Sequence, residues 1–245
     1  MNRFFVEKDN ITDSSAVLYG EDVKHISSVL RLRTGDEVML CDGIGMDYHA
    51  RITAISKAEV HFDILSSSPA LTEPRCSLTL FQGLPKAGKL ENIIQKCVEL
   101  GISEIVPVAM ERSVVRLSKK DFDKKLERYQ RVAMEASKQS RRGVIPRVGR
   151  LIEPKEIDPA AFDALLLAYE LEGEHSIKAV LDALDDNVRR IGVIIGPEGG
   201  ISDDEAKLFA SLGAQSFSLG RRILRTETAG PAITAIIMYH MEGEA

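Results

Sequence analysis

The chain has 245 residues, 44% hydrophobic and 28% charged, with a formal net charge of −5. That length fits one large domain or two modest ones with a real core, and the composition is that of an ordinary globular enzyme. It contains no apolar run long enough for a membrane-spanning helix, and its opening residues, MNRFFVEKDN, have no signal-peptide core. The three cysteines, Cys41, Cys76 and Cys97, are too few and too scattered for a disulfide framework or a zinc site. The expectation is a reducing cytoplasm and no metal. Overall acidity argues against a wholly basic nucleic-acid binder, but the charge is unevenly spread. Residues 112–150 carry 13 Lys/Arg against 4 Asp/Glu, and residues 151–190 carry 4 against 10. One positive face on an acidic body can track phosphates; the plainer alternative is a solvated helix.

In chain order, residues 25–33 read as a short amphipathic helix closed by Gly35. Residues 38–40, 48–55 and 60–64 carry β-branched and apolar residues between Gly and Asp turns, which predicts strands. Residues 1–70 therefore read as a small β-barrel-like domain, and the Ser- and Pro-rich stretch 66–74 as its linker. From residue 75 to 245 strand and helix alternate. Strands are predicted at 78–81, 105–109, 164–169, 191–195 and 216–219. Helices are predicted at 89–100, closed by Gly101, and at 121–140, 203–212 and 229–241. Such alternation implies an α/β domain with a mostly parallel sheet covered on both faces.

Residues 83–90, GLPKAGKL, have the spacing of a phosphate loop at a strand-to-helix junction. Leu90 stands where a nucleotide hydrolase needs a hydroxyl for Mg²⁺, and no second aspartate-bearing strand is evident. Lys86 and Lys89 are left as simple cations that could meet phosphate. No G-x-G-x-x-G follows an early strand, so an ordinary dinucleotide site is unsupported.

The strongest local signal is 191–202, IGVIIGPEGGIS. A buried strand runs into Gly196-Pro197-Glu198-Gly199-Gly200, and Ser202 then caps a helix opening on Asp203-Asp204-Glu205. A plain strand-to-helix turn rarely needs so many glycines; they allow close backbone approach to a ligand. The second signal is 218–231, SLGRRILRTETAGP, where basic residues, hydroxyls and a carboxylate sit beside a glycine turn.

These two segments closely resemble the RsmE family of 16S ribosomal RNA uridine N3-methyltransferases, within the SPOUT (knotted) methyltransferases. Earlier segments match too: HISSVLRLRTGD at 25–36, KLENIIQKCVELGISEIVP at 89–107, ERSVV at 111–115 and EASKQSRRGVIP at 135–146. The resemblance implies a PUA-like RNA-binding β-barrel followed by a SPOUT-type α/β domain with a deep C-terminal trefoil knot. It implies a homodimer that binds S-adenosylmethionine (SAM) in the knot and methylates 16S rRNA, in the small subunit. Mapped onto this chain, it assigns cofactor contacts to Leu167, Ala168, Tyr169 and Glu170, to Gly196, Pro197, Glu198, Gly199 and Gly200, and to Leu219, Gly220, Ile223, Leu224, Arg225 and Thr226.

Uracil N3 carries a proton at neutral pH, so a general base or a cation that stabilises the uridine anion is expected. Glu198 and Glu227 are candidate carboxylates and Arg225 a candidate cation, and all three stay open. For Glu198, a structural pairing with Lys96 or an arginine is the favoured alternative. RNA is expected on the basic stretch, through Arg112, Arg128, Arg131, Arg141 and Arg142, with Lys86 nearby and Lys24, Arg31 and Arg33 forming a second patch. By resemblance, Gln139 and Arg142 reach the active site from the partner chain. Two alternatives remain: another SPOUT reaction, such as 2′-O-ribose methylation, and a non-catalytic RNA-binding assembly factor.

Overall fold

The computed structural model describes residues 1–86, 88–170, 173 and 175–242. The chain forms two compact units, one of Met1–Glu73 with Ser137–Ile145, the other of Pro74–Ala136 with Pro146–Ala245.

The first unit is built on strands β1 (Arg3–Phe5), β2 (Ser15–Tyr19), β3 (Glu37–Cys41), β4 (Met46–Ile55) and β5 (Glu59–Pro69), in the order β1-β3-β4-β5-β2. All pairings are antiparallel except β1 with β3. Alternate residues point inward, as a half-buried strand requires: Ala16 and Leu18, Val38 and Leu40, Ala50 and Ile52, Val60 and Phe62 are all buried. The helix predicted at 25–33 is displaced. Helix α1 (Glu21–Lys24) starts behind Gly20, whose φ of 85° turns the chain out of β2, and runs into a π-helical turn, His25–Val29. Val23 and Ile26, three apart, face the core. Arg31 has a φ of 55°, so the chain has left the helix well before Gly35. β1 and β2 escaped the sequence reading, being short and flanked by charge. Part of the expected linker is strand: residues 66–69 pair with the start of β4, whose ladder outweighs the low strand preference of serine.

Residues 137–145, which the sequence reading left with the C-terminal domain, are bonded into this first unit. The Gly143 carbonyl accepts from the Cys41 thiol at 3.1 Å and from the Gly45 N–H at 3.1 Å. The Glu73 carboxylate accepts from Arg142 Nη2 at 2.7 Å and from the N–H groups of Gly143 and Val144 at 2.7 and 3.1 Å. Burial pushes the Glu73 carboxyl up, but Arg142 and the two amides outweigh it and hold the group below the ordinary carboxylate range.

The second unit contains β6 (Ser77–Gly83), α2 (Lys89–Glu99), β7 (Glu104–Val108), α3 (Lys119–Ser140, whose last residues belong to the first unit), β8 (Arg147–Val148), β9 (Ala164–Ala168), α4 (Ile177–Asp182), β10 (Arg190–Ile195), α5 (Asp203–Ser211), β11 (Gln215–Phe217) and α6 (Thr226–Glu242). Six strands lie in the order β11-β9-β10-β6-β7-β8, every pair parallel. Both faces are buried, which explains the nearly continuous apolar strands. One face packs Leu78 and Leu80 against Ile93, Ile94, Ile233 and Ile237; the other packs Phe81, Val106 and Ile194 against Phe209. Helix α2 buries Leu90, Ile93, Ile94, Cys97 and Val98, a single stripe at helical spacing, and ends before Gly101 at φ 99°. Helix α6 starts three residues earlier than the sequence reading placed it, because Thr226 and Glu227 form its first turn. Parallel strands bring the loops after β6, β9, β10 and β11 to one edge of the sheet, the edge where open α/β sheets bind ligands.

The Arg142–Glu73 pair gives the first test. Arg142→Met leaves a half-buried carboxylate with only amide donors, and the first unit should lose about 3 kcal/mol in denaturant unfolding. Because Glu73 has a depressed pKa when folded, its stabilising contribution is complete above its unfolded pKa, roughly 4.3, and fades as pH falls through the lower folded value. The variant should therefore lose less of its remaining stability on acidification than the native chain does. Equal stability at neutral pH would show that the pair does not hold 137–145 in place.

Candidate functional site

Three chain segments converge at the carboxyl edge around a cleft of about 490 Å³. Ala168, Tyr169 and Glu170 come from the end of β9, Gly196, Pro197 and Gly200 from the loop after β10, and Leu219, Gly220, Ile223, Leu224 and Thr226 from the stretch between β11 and α6. Of the residues assigned to cofactor by resemblance, four do not line the cleft. The Leu167 side chain is buried in the sheet core. Glu198 turns toward the loop after β6, Gly199 backs onto Arg112, and Arg225 lies on the exposed side of its segment. His175 and Ser176, which the sequence reading missed, also line it, as do Arg221 and Arg222.

The glycines explain how tightly the walls close. Gly83, at the end of β6, has no room for a Cβ, which would stand 2.5 Å from the Pro197 nitrogen. Gly199 is closed in the same way by the Arg112 backbone, at 2.7 Å. Gly200 has a φ of 72° and lies directly against the Glu170 carboxylate; like Gly220, at φ 104°, it combines left-handed backbone with a place on the cleft wall.

A buried polar relay fixes the two main walls. Gln82 is fully buried; its Nε2 donates to the Thr226 hydroxyl at 2.8 Å and to the Gly83 carbonyl at 3.0 Å. The Thr226 hydroxyl donates to the Gly196 carbonyl at 2.7 Å. Three elements, β6, the loop after β10 and the first turn of α6, are thereby tied at one atom. Sequence reasoning passed over Gln82, although a glutamine inside the apolar run LTLFQGL was a visible signal.

A second tie is ionic. Lys89 Nζ lies 3.1 Å from Glu198 Oε1 and 3.0 Å from Glu227 Oε2, and the Lys86 N–H donates to Glu198 Oε1 at 3.1 Å. Glu198 thus has the structural pairing foreseen for it, but with Lys89; Lys96 pairs with Glu99 instead. Burial raises the Glu198 carboxyl, yet the Lys86 amide and Lys89 bring it below the usual range. Its own backbone N–H, then Lys89, hold the Glu227 carboxyl down as well. Both are weak proton acceptors in this setting, since a general base works best with a pKa near the operating pH. Arg225 is exposed, and among the described residues its guanidinium has no ion-pair or hydrogen-bond partner.

The basic residues separate into groups. Lys24, Arg31, Arg33, Gln139 and Arg141 are exposed on the first unit, and Lys86 and Arg131 on the second. Arg128 meets Glu91 at 3.1 Å and Arg131 meets Glu127 at 3.0 Å, exposed pairs that a phosphate can outcompete. Arg112 donates to the Ile201 carbonyl at 3.2 Å and so braces the loop after β10. Arg142, by contrast, is only 4% exposed, with its guanidinium on Glu73.

The chain matches the RNA methyltransferase domain family over residues 72–238 and the RNA methyltransferase PUA domain family over residues 18–65. It is 34% identical to ribosomal RNA small subunit methyltransferase E of Bacillus subtilis (strain 168), over 99% of this chain and 98% of that protein. It is 33% identical to the protein of the same name from Mesomycoplasma hyopneumoniae (strain 232), over 94% and 95% of the two chains. A crystal structure of ribosomal RNA small subunit methyltransferase E from Neisseria gonorrhoeae bound to S-adenosyl methionine is similar in fold, with a TM-score of 0.83 at 30% identity, covering 97% of this chain and 96% of that one.

The loop after β10 makes a prediction that separates its two adjacent glycines, Gly199 and Gly200. Gly200→Ala puts a Cβ into the Glu170 carboxylate at a left-handed position, and should weaken calorimetric SAM binding about tenfold while the fold persists. Gly199→Ala presses on the Arg112 backbone outside the cleft, and should lower the melting temperature more than it lowers affinity. Wild-type affinity in Gly200→Ala would remove this loop from the cofactor site.

Proposed function

The chain belongs to the ribosomal RNA small subunit methyltransferase E (RsmE) family, and from that membership we propose that it transfers a methyl group from SAM to N3 of a uridine in 16S rRNA. The observation that carries the reading is the cleft at the carboxyl edge, whose size falls in the range of small-molecule sites. Its chemistry fits SAM. Gly196, Gly200 and Gly220 let a ligand approach the backbone, Tyr169, Leu219 and Leu224 supply apolar wall, and the Glu170 carboxylate complements a cationic ligand.

When bound, SAM supplies an electrophilic methyl on a sulfonium, open to in-line displacement. The protein's part is orientation. The Gln82–Thr226–Gly196 relay fixes the walls, and Lys89 fixes the outer turn of the loop after β10 against α6. N3 must shed its proton as it attacks. Glu198 and Glu227 are held as carboxylates by Lys89 and serve to shape the site, whereas Arg225, exposed beside the cleft segment, is the cation for the uridine anion.

The same reading extends to architecture and partners. A PUA-like RNA-binding domain at 1–70 presents Lys24, Arg31 and Arg33, and Gln139 and Arg141 stand exposed beside them on the same unit; the SPOUT domain at 75–245 presents Lys86, Arg128 and Arg131. A deep trefoil knot is favoured by the way Thr226, entering the last helix, is bonded to two earlier segments. Exposed Ile236 and Tyr239 on α6 favour a homodimer. The reaction is placed in the cytoplasm, on rRNA within the small subunit, and Gln139 is the residue offered to a partner's active site.

Single-turnover methylation of 16S rRNA tests the roles. Arg225→Ala should slow transfer about a hundredfold, roughly 3 kcal/mol, with SAM and RNA affinity nearly unchanged. Glu227→Gln should weaken SAM binding and show no recovery of rate at raised pH. A rate loss in Glu227→Gln that alkali rescues would make Glu227 the base and overturn the assignment.

A further inference from the structure

A second recess lies beside the loop after β6, separate from the cofactor cleft, with a volume of about 250 Å³. Its floor includes Leu84, Leu117 and the largely buried Tyr129, and its rim carries Lys86, Lys125 and Arg128. The Tyr129 ring is fixed from behind by Phe122, with centroids 5.3 Å apart. Among the described residues one carboxylate, Glu91, reaches the recess, and Arg128 engages it at 3.1 Å. Lys86 and Lys125 form no ion pair or side-chain hydrogen bond among the described residues. Two uncommitted cations over an apolar, aromatic floor suit a ligand that is anionic at one end and flat and apolar at the other. Inorganic phosphate would use only the rim; a purely apolar ligand would leave the lysines idle.

We propose that this recess seats one unpaired nucleotide of the RNA substrate, with its base against Tyr129 and Leu117 and its phosphate on Lys86 and Lys125. Single-stranded RNA is held in this manner, by stacking on side chains with cations along the backbone. Position supports the choice. Lys86 is at once rim of the recess and donor, through its N–H, to Glu198, in the loop whose Gly196 and Pro197 line the cofactor cleft. A strand seated here runs along the same sheet edge as the reacting nucleotide. The seat rests on RNA being the substrate, and it adds a site to the reading above.

The test uses the full-length protein with ¹³C-labelled tyrosine rings, the Tyr129 resonance being assigned with Tyr129→Phe. Titration with AMP should shift that resonance saturably, while adenosine and inorganic phosphate should bind at least about tenfold more weakly than AMP. Lys86→Ser combined with Lys125→Ser should abolish the AMP shift and raise the KM for RNA about tenfold, with the main-chain bond to Glu198 intact. An unmoved Tyr129 signal, or phosphate binding as tightly as AMP, would overturn the seat. Methyl transfer to 16S rRNA, assayed on the same preparation, keeps the two ideas apart. Transfer without an AMP response refutes the seat alone, whereas absent transfer refutes the proposed function.

Discussion

The cleft depends on one hydroxyl. Thr226 Oγ1 accepts from the fully buried Gln82 and donates to the Gly196 carbonyl at the cleft wall. A buried polar group left without a partner costs about 1–3 kcal/mol, so a displacement of α6, of the loop after β10 or of β6 breaks bonds in the other two. The relay therefore makes the positions of three distant segments interdependent. Gly83 and Gly230 make the arrangement sterically feasible. The first lets the Gly196–Pro197 peptide lie on the end of β6, and the second leaves room for the Gln82 amide beneath α6.

Around that fixed centre the charges are arranged to hold shape. Lys89 sits between Glu198 and Glu227, and both carboxyls are depressed rather than raised. A site that relied on a carboxylate base would raise its pKa by burial or by a like charge; here the environment does the reverse. Under the proposed function, the chemistry would then fall to orientation and to a cation, in a displacement whose electrophile the cofactor supplies.

Much of this was legible in the sequence where local signals agree. The apolar run ending in GPEGG, with Ser202 and Glu205 forming a reciprocal cap, located β10, its loop and α5 correctly. The α2 boundaries followed from its apolar stripe and Gly101. What escaped the reading was set by long-range contacts. The Glu198 partner is Lys89, 109 positions away in the chain, and nothing in one dimension prefers it to Lys96. Arg142 looked like one more residue of a basic surface, and only Glu73, with its two accompanying amides, turns it inward. The serines of 66–69 read as linker because their β4 partners lie about twenty residues earlier. Gly199 looked equivalent to Gly200, and the Arg112 backbone makes it structural.

The relay is tested most directly by SAM calorimetry on Thr226→Val and Thr226→Ser. Valine keeps the shape but leaves the Gly196 carbonyl without its hydroxyl donor and the Gln82 amide with only the Gly83 carbonyl as acceptor; serine keeps both bonds. The account predicts that valine weakens SAM binding by at least about tenfold, as the loss of two hydrogen bonds behind the cleft wall implies, with the far-UV spectrum unchanged, while serine binds within a few-fold of the native chain. If the valine variant binds SAM as tightly as the native protein, the relay does not set the cleft and the account is wrong.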